Sequence, residues 1–229
     1  MEDHKFLRDV TGSVLVESTI VVPILLLLVL GTIDATYLFF EWGLANKAAY
    51  VGARAAAISN PVAPNIVNIT YTSAQLNNIG QSCISVSCPS VNATCTSTTC
   101  TTTATGFTPG FDSTAFTNSK KTGIFDKMQA IFPRLQPQNV MISYQTNGSG
   151  VVGEPYSGNA SQFSLPMNVT VQIKCMTHQF YFLSALMNWA FSTPTDAKGN
   201  PCSPAPPQGP SIPTFASILQ SEDMDSSNN

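Results

Sequence analysis

Charged residues are scarce in this 229-residue chain, where Lys, Arg, Asp and Glu together make up 10% of the sequence. The 10 bases and 13 acids leave a formal net charge of −3 and a pI of about 5.2. That balance excludes the basic surface that neutralises a nucleic-acid backbone. Histidine is rarer still, at His4 and His178. His178 has no acid near it in sequence and is expected to be an ordinary core or surface histidine, and His4 is assigned no role. Neither a serine nucleophile elbow nor a Gly-rich phosphate loop heading a helical run is apparent. These absences predict a protein with no catalytic residues, no metal ligands and no cofactor, which is not an enzyme.

What the chain does have is an uncharged run, STIVVPILLLLVLGTI, from Ser18 to Ile33. A bilayer core takes roughly 20 apolar residues at about 1.5 Å each, and Val14 to Ile33 reaches that length only if Glu17 is counted inside it. A carboxylate in the bilayer costs about 2.5–3.5 kcal/mol at the helix centre and less near the ends, so Glu17 either reaches up to the headgroups or needs a partner. A secretory signal peptide would end after about 7–15 apolar residues at a small-residue cleavage site. Here the run continues through Tyr37-Leu38-Phe39-Phe40 instead. Pro23 lies inside it and removes one backbone hydrogen bond, which membrane helices tolerate where neighbours satisfy the freed carbonyl.

Gly12, four residues, then Glu17 at the head of a very hydrophobic helix resembles the prepilin peptidase site of type IV pilins and pseudopilins. The wider run KFLRDVTGSVLVESTIVVPILLLLVLGTIDATYLFF, with AAYVGARAAA at Ala48 to Ala57, resembles the TadE-like minor pilin and pseudopilin family of the Tad (Flp, type IV-like) pilus system, over about the first quarter of the chain. The resemblance implies cutting between Gly12 and Ser13 on the cytoplasmic side by a prepilin peptidase. It also implies that Glu17 pairs with the new Ser13 amine of a neighbouring subunit, with Pro23 part of the assembly helix. Such a pair would offset the cost of two buried charges and set the register between subunits.

Beyond the span, helical signals run to Ile58 and stop at Asn60-Pro61, since proline disfavours the helical conformation in the residue before it. A helix of about 46 residues from Ser13 would measure roughly 70 Å, more than a bilayer needs. Leu44, Ala48, Val51, Ala55 and Ile58 form a heptad seam, and Ala45, Ala49, Ala53 and Ala57 a ladder of small residues. Both suit packing along another helix, although alanine is also simply the best helix former. Asp34 and Glu41 are expected near or beyond the outer membrane interface.

From Pro61 onward Ser, Thr, Asn, Gly and Pro dominate, and all six cysteines lie there: Cys83, Cys88, Cys95, Cys100, Cys175 and Cys202. Basic residues flank the span almost evenly, with Lys5 and Arg8 before it and Lys47 and Arg54 after it, so charge does not orient it. An even set of cysteines on one side does, because disulfides persist in an oxidising compartment. The spacings Cys83-x4-Cys88 and Cys95-x4-Cys100 sit at the upper edge of zinc-ligand spacing, in a Ser/Thr-rich stretch, and read as disulfides rather than metal. Six cysteines allow 15 pairings. Local loops Cys83–Cys88 and Cys95–Cys100 with Cys175–Cys202 come first, and nested pairs within Cys83 to Cys100 second.

Secondary-structure signals in this half are few. A short polar helix is expected over Asn65–Asn78, an amphipathic one over Ile124–Leu135, and strands over Val140–Gln145 and Asn168–Cys175, the latter with Val169, Val171, Ile173 and Cys175 on one face. Phe180–Phe191 is apolar but too short to span, and is expected to be a buried core helix. The tail from Ser192 is rich in proline, from Pro194 to Pro213, and ends in acidic SEDMDSSNN. It is expected to wrap or trail without a fold of its own.

The fold class that follows is α+β: a long N-terminal transmembrane helix followed by a disulfide-stapled extracytoplasmic domain with a small antiparallel sheet. Its units are a cytoplasmic leader over 1–12, the membrane and assembly helix over 13–58, the domain over 59–203 and a disordered tail over 204–229. The function implied is that of a minor pilin-like component of Tad pilus assembly in the inner membrane. The C-terminal domain would be periplasmic or enter an extracellular pilus, and the partners would be other pilin-like subunits, the assembly machinery and prepilin peptidase. The alternative is an uncleaved single-span binding or adhesion protein, glycosylated at some of its five Asn-x-Ser/Thr triplets, Asn68, Asn92, Asn147, Asn159 and Asn168.

Overall fold

The computed structural model describes residues 10–68, 90–146, 152–153, 163–164, 167–183, 202, 212 and 214–221. Helix α1 runs unbroken over Val10–Ile58, 49 residues, with Pro23 inside it. It is the one helix among the described residues long and apolar enough to cross a membrane. Its terminus at Ser59-Asn60-Pro61 is where the proline was expected to stop it.

The domain is built on a five-stranded sheet of order β2-β1-β3-β6-β7, every described pair antiparallel. The strands are β1 (Asn92–Cys95), β2 (Cys100–Thr101), β3 (Val140–Thr146), β6 (Met167–Ile173) and β7 (Phe215–Gln220). A separate two-stranded ribbon pairs β4 (Val152–Gly153) with β5 (Phe163–Ser164). β3 and β6 are the central pair, in register from Val140 opposite Ile173 to Thr146 opposite Met167. Their alternation buries Val140, Ile142 and Tyr144 on one strand and Met167, Val169, Val171 and Ile173 on the other, the period-2 signature of a sheet with one face on a core. The outer half of α1 packs against β6, β7 and helix α3 (Ile124–Ile131), and short helix α2 (Ser113–Phe116) packs on α3. Below the sheet, the Val62 amide donates to the buried Tyr144 phenol oxygen at 3.0 Å, tying the chain just after α1 to β3. Burial pushes that phenol well above its ordinary pKa range.

Two of the expected disulfides are present. Cys95–Cys100 joins directly opposed residues of the β1–β2 hairpin, and Cys175–Cys202 links the end of β6 to a residue 27 positions later. Cys83 and Cys88 lie outside the described residues.

Several expectations need correction. Cys175 does not continue the face of β6: the strand ends at Ile173, and Cys175 adopts a left-handed φ of 58° while its carbonyl accepts from the Asn139 side chain at 3.0 Å. The amphipathic helix stops at Ile131 rather than Leu135, because Pro133 drives Phe132 out of the helical region, to φ −123° and ψ 85°. Of the expected polar helix, the described part, Asn65 to Asn68, lies in a 3-10 turn over Pro64–Asn68. Asn65 is held instead by the loop opposite, its amide on the Pro109 carbonyl and its side chain on Thr108, and 69–78 lie outside the described residues. Phe180 to Leu183 are not helical, since three of their amides are drawn to a carboxylate on α1, and 184–191 lie outside the described residues. Within the stretch expected to be a disordered tail, Phe215–Gln220 forms strand β7, with Phe215 and Leu219 half-buried against the core.

Candidate anchoring and assembly site on the long helix

Helix α1 divides into two halves with different surroundings. In the first, Leu15, Val16, Ile20, Ile24, Leu25 and Leu28 are each more than half exposed. Its hydroxyls are satisfied within the helix: Ser18 Oγ donates to the Leu15 carbonyl at 2.9 Å, Thr19 Oγ1 to Val16 at 2.7 Å and Thr32 Oγ1 to Val29 at 2.7 Å. These local bonds let hydroxyls lie in hydrocarbon at little cost. Glu17 has no such provision. It is exposed and, among the described residues, makes no hydrogen bond or ion pair. Gly12 and Ser13 lie within the first turn of α1, and Pro23 leaves the Thr19 carbonyl without its usual helical donor. Gly12, Ser13, Glu17 and Pro23 therefore share one helix but are not gathered into a pocket.

The second half is held by a polar joint that the sequence did not reveal. Asp34, Tyr37 and Glu41, spaced three and four residues apart, share one helical face. Asp34 and Glu41, expected near or beyond the outer membrane interface, are buried against the domain, 0% and 1% exposed. Asp34 accepts three successive backbone amides, Oδ1 from Tyr181 at 3.2 Å and Oδ2 from Phe182 at 3.0 Å and Leu183 at 2.9 Å. Glu41 is shared between Arg134, bonded to Oε1, and His178, whose Nδ1 lies 2.7 Å from Oε2. Arg134 also donates to the Thr177 carbonyl at 3.2 Å. The Tyr37 ring packs edge-on against Tyr181 and tilted against His178. Burial of two carboxylates is tolerable here because each is met by several donors, which is the condition for keeping charge inside a protein. His178 is thus a buried core histidine whose acid partner comes from 137 residues earlier.

Above the joint the alanine ladder is used, but not for a second helix. Ala45, Ala48, Ala49, Ala53, Ala55 and Ala56 are buried in the domain's own core, and Ala57 is buried as well. Gly52 permits the closest approach: a Cβ there would lie 2.5 Å from Met128 Sδ on α3. The expected heptad seam is only partly inside, since Ile58 is 53% exposed. Opposite the ladder, Gly43, Lys47, Tyr50 and Arg54 face outward.

A match to a known family falls on this helix. Residues 12–54 match the TadE-like protein family. The TadE-like segment thus begins at Gly12 and takes in Glu17, Pro23, the joint residues Asp34 and Glu41, and Arg54. No curated protein and no solved structure matches the chain. Sequence reasoning found the TadE-like segment but missed the joint. A signal was available in the Asp34 and Glu41 spacing, which sets two acids seven residues apart on one face of the helix.

Proposed function

We propose that the chain is a minor pilin- or pseudopilin-like component of Tad pilus assembly, with no catalytic activity of its own. The observation that carries this reading is the TadE-like match over residues 12–54 falling on a helix whose first half is exposed, apolar and marked by one unpartnered acid. In this reading residues 15–33 lie in the inner membrane and the disulfide-bonded domain faces the periplasm, where cystines persist. Prepilin peptidase cuts between Gly12 and Ser13. The Ser13 amine then pairs with Glu17 of a neighbouring subunit, and Pro23 frees a carbonyl for contacts between helices. The chain works by packing, and its partners are other pilin-like subunits and the assembly machinery.

Sequencing the mature N terminus by mass spectrometry in cells that possess the peptidase tests the cut, with Ser13 expected as the first residue. An intact Met1 would remove the cleavage step. Glu17→Ala is expected to insert normally and to stop pilus assembly. Unchanged assembly would instead make the helix a plain tether for a binding or adhesion domain.

A further inference from the structure

The loop that Asp34 holds reaches back toward the membrane rather than away from it. Asp34 is the first charged residue after the apolar run, and Leu183 passes it in the direction of the span: its Cδ1 would lie 3.5 Å from a Cβ at Gly31, inside that run. Just before this contact the loop turns its rings outward, with Tyr181 68% and Phe182 53% exposed. Phe39 and Phe40 on α1 are exposed to 64% and 59%.

We propose that Tyr181 and Phe182 insert into the headgroup and acyl boundary of the bilayer that α1 crosses, giving the domain a second membrane contact beside its helix. This rests on α1 being a membrane anchor. Two features of the loop fit that occupant. Irregular backbone cannot enter a water-poor layer with open amides, and here the three amides of residues 181–183 are all taken by the Asp34 carboxylate. Aromatic rings with an apolar body are the side chains that settle at a membrane interface, and Tyr181 packs on Tyr37, four residues past the end of the apolar run. Asp34 is thereby a positioning residue: it satisfies the backbone and sets the depth of the rings relative to the helix. Docked in this way, the domain is held close to the bilayer surface instead of standing off on the helix.

The test uses full-length protein with Trp42 and Trp189 replaced by Phe and a single reporter tryptophan. The protein is reconstituted in phosphatidylcholine and phosphatidylglycerol vesicles that carry a nitroxide either near the headgroup end of the acyl chain or near its terminal methyl. Phe182→Trp is expected to lose most emission to the shallow nitroxide. Leu26→Trp, in mid-span, should lose most to the deep one, and Ile218→Trp on β7, 62% exposed, should lose none. Phe182→Trp behaving like Ile218→Trp while Leu26→Trp is quenched would overturn the inference and leave the anchor standing. Failure of quenching at Leu26→Trp would bring down both. Shielding of Phe182→Trp that depends on protein density rather than on the nitroxide would assign the loop to a neighbouring copy and overturn the lipid contact. Adding Asp34→Ala to the Phe182→Trp chain is expected to abolish the shallow quenching while leaving that of Leu26→Trp intact.

Discussion

Replacing Glu41 by Leu removes the common partner of Arg134 and His178 and leaves two donors facing an apolar side chain. Breaking a buried ion pair from one side costs about 3–5 kcal/mol. Two features pull this site toward the lower figure. Arg134 keeps 40% of its side chain in solvent and retains the Thr177 carbonyl, so its charge relaxes toward water. His178 is 0% exposed, and the ring nitrogen that faced Glu41 is left without its partner. The expected loss is about 3 kcal/mol, roughly a hundredfold in the folding equilibrium. With a urea slope of about 2 kcal/mol per molar, the midpoint should fall by about 1.5 M. The assay is urea unfolding of the full chain in detergent micelles, followed by near-ultraviolet circular dichroism. The companion variant, Glu41→Leu with His178→Leu and Arg134→Met, exchanges the whole group for apolar side chains and should recover at least half of the loss, because desolvation offsets most of what a buried pair gains. A single variant within about 0.5 kcal/mol of the parent, the usual range of surface substitutions, would refute the view that Glu41 fastens the domain to α1. A triple variant no more stable than the single one would do so as well.

Other expectations follow from the packing and the caps. Gly52→Ala drives a Cβ into the buried Met128 and should cost about 1–3 kcal/mol by overpacking. Combined with Met128→Ala, the loss should be smaller than the sum of the two, which a double-mutant cycle reads directly. Opening Cys175–Cys202, which spans 27 residues, should cost about 3.5 kcal/mol, against about 2 kcal/mol for the five-residue separation of Cys95–Cys100 on loop entropy; paired serine variants compared by unfolding midpoint check the order. Burial pushes the Asp112 carboxyl up, but hydrogen bonds from Thr114 Oγ1, Thr114 N and Ala115 N at the head of α2 outweigh it and hold the group below its usual range. A depressed folded pKa contributes stability that is present above the unfolded value and lost as pH falls through the folded one. Asp112→Asn should therefore show a smaller fall in unfolding midpoint than the parent between about pH 5 and about pH 3.

Which parts of the fold were legible in the sequence depended on whether the signal was local. Val169, Val171 and Ile173 alternate with polar residues, so β6 could be found from its own residues, and Val140, Ile142 and Tyr144 did the same for β3. β7 could not. Its inward positions are Phe215, Ser217 and Leu219 and its outward ones Ala216, Ile218 and Gln220, a pattern with no clean polar face, in a proline-rich context. It is a strand because β6 offers a partner, and a long-range pairing leaves little trace in six residues. The candidate site divides in the same way. Gly12, Glu17 and Pro23 form a contiguous pattern, whereas the Asp34 and Glu41 contacts close over 149 and 137 residues. Read locally, those two acids were placed near or beyond the outer membrane interface with no partner identified, and only the fold supplies the amides, the guanidinium and the imidazole that make burial affordable.

If the protein assembles as proposed, the use of its alanine face constrains how it would meet its neighbours. A ladder of small residues is the feature that allows two helices to approach closely, and on the outer half of α1 that ladder is covered by the domain's own sheet and α3. A neighbouring subunit approaching that half from its open side meets Gly43, Lys47, Tyr50 and Arg54, a surface with two bases and no alanine ladder. To reach the alanines it would have to lift the domain off the helix, which would expose Asp34 and Glu41 and strand the amides of residues 181–183, together with Arg134 and His178. The two buried acids thus act as a lock on the choice of assembly surface. In the proposed assembly, while they hold, close helix contact between subunits would be confined to residues 15–33, where Glu17 and the carbonyl freed by Pro23 are the groups left without a partner among the described residues.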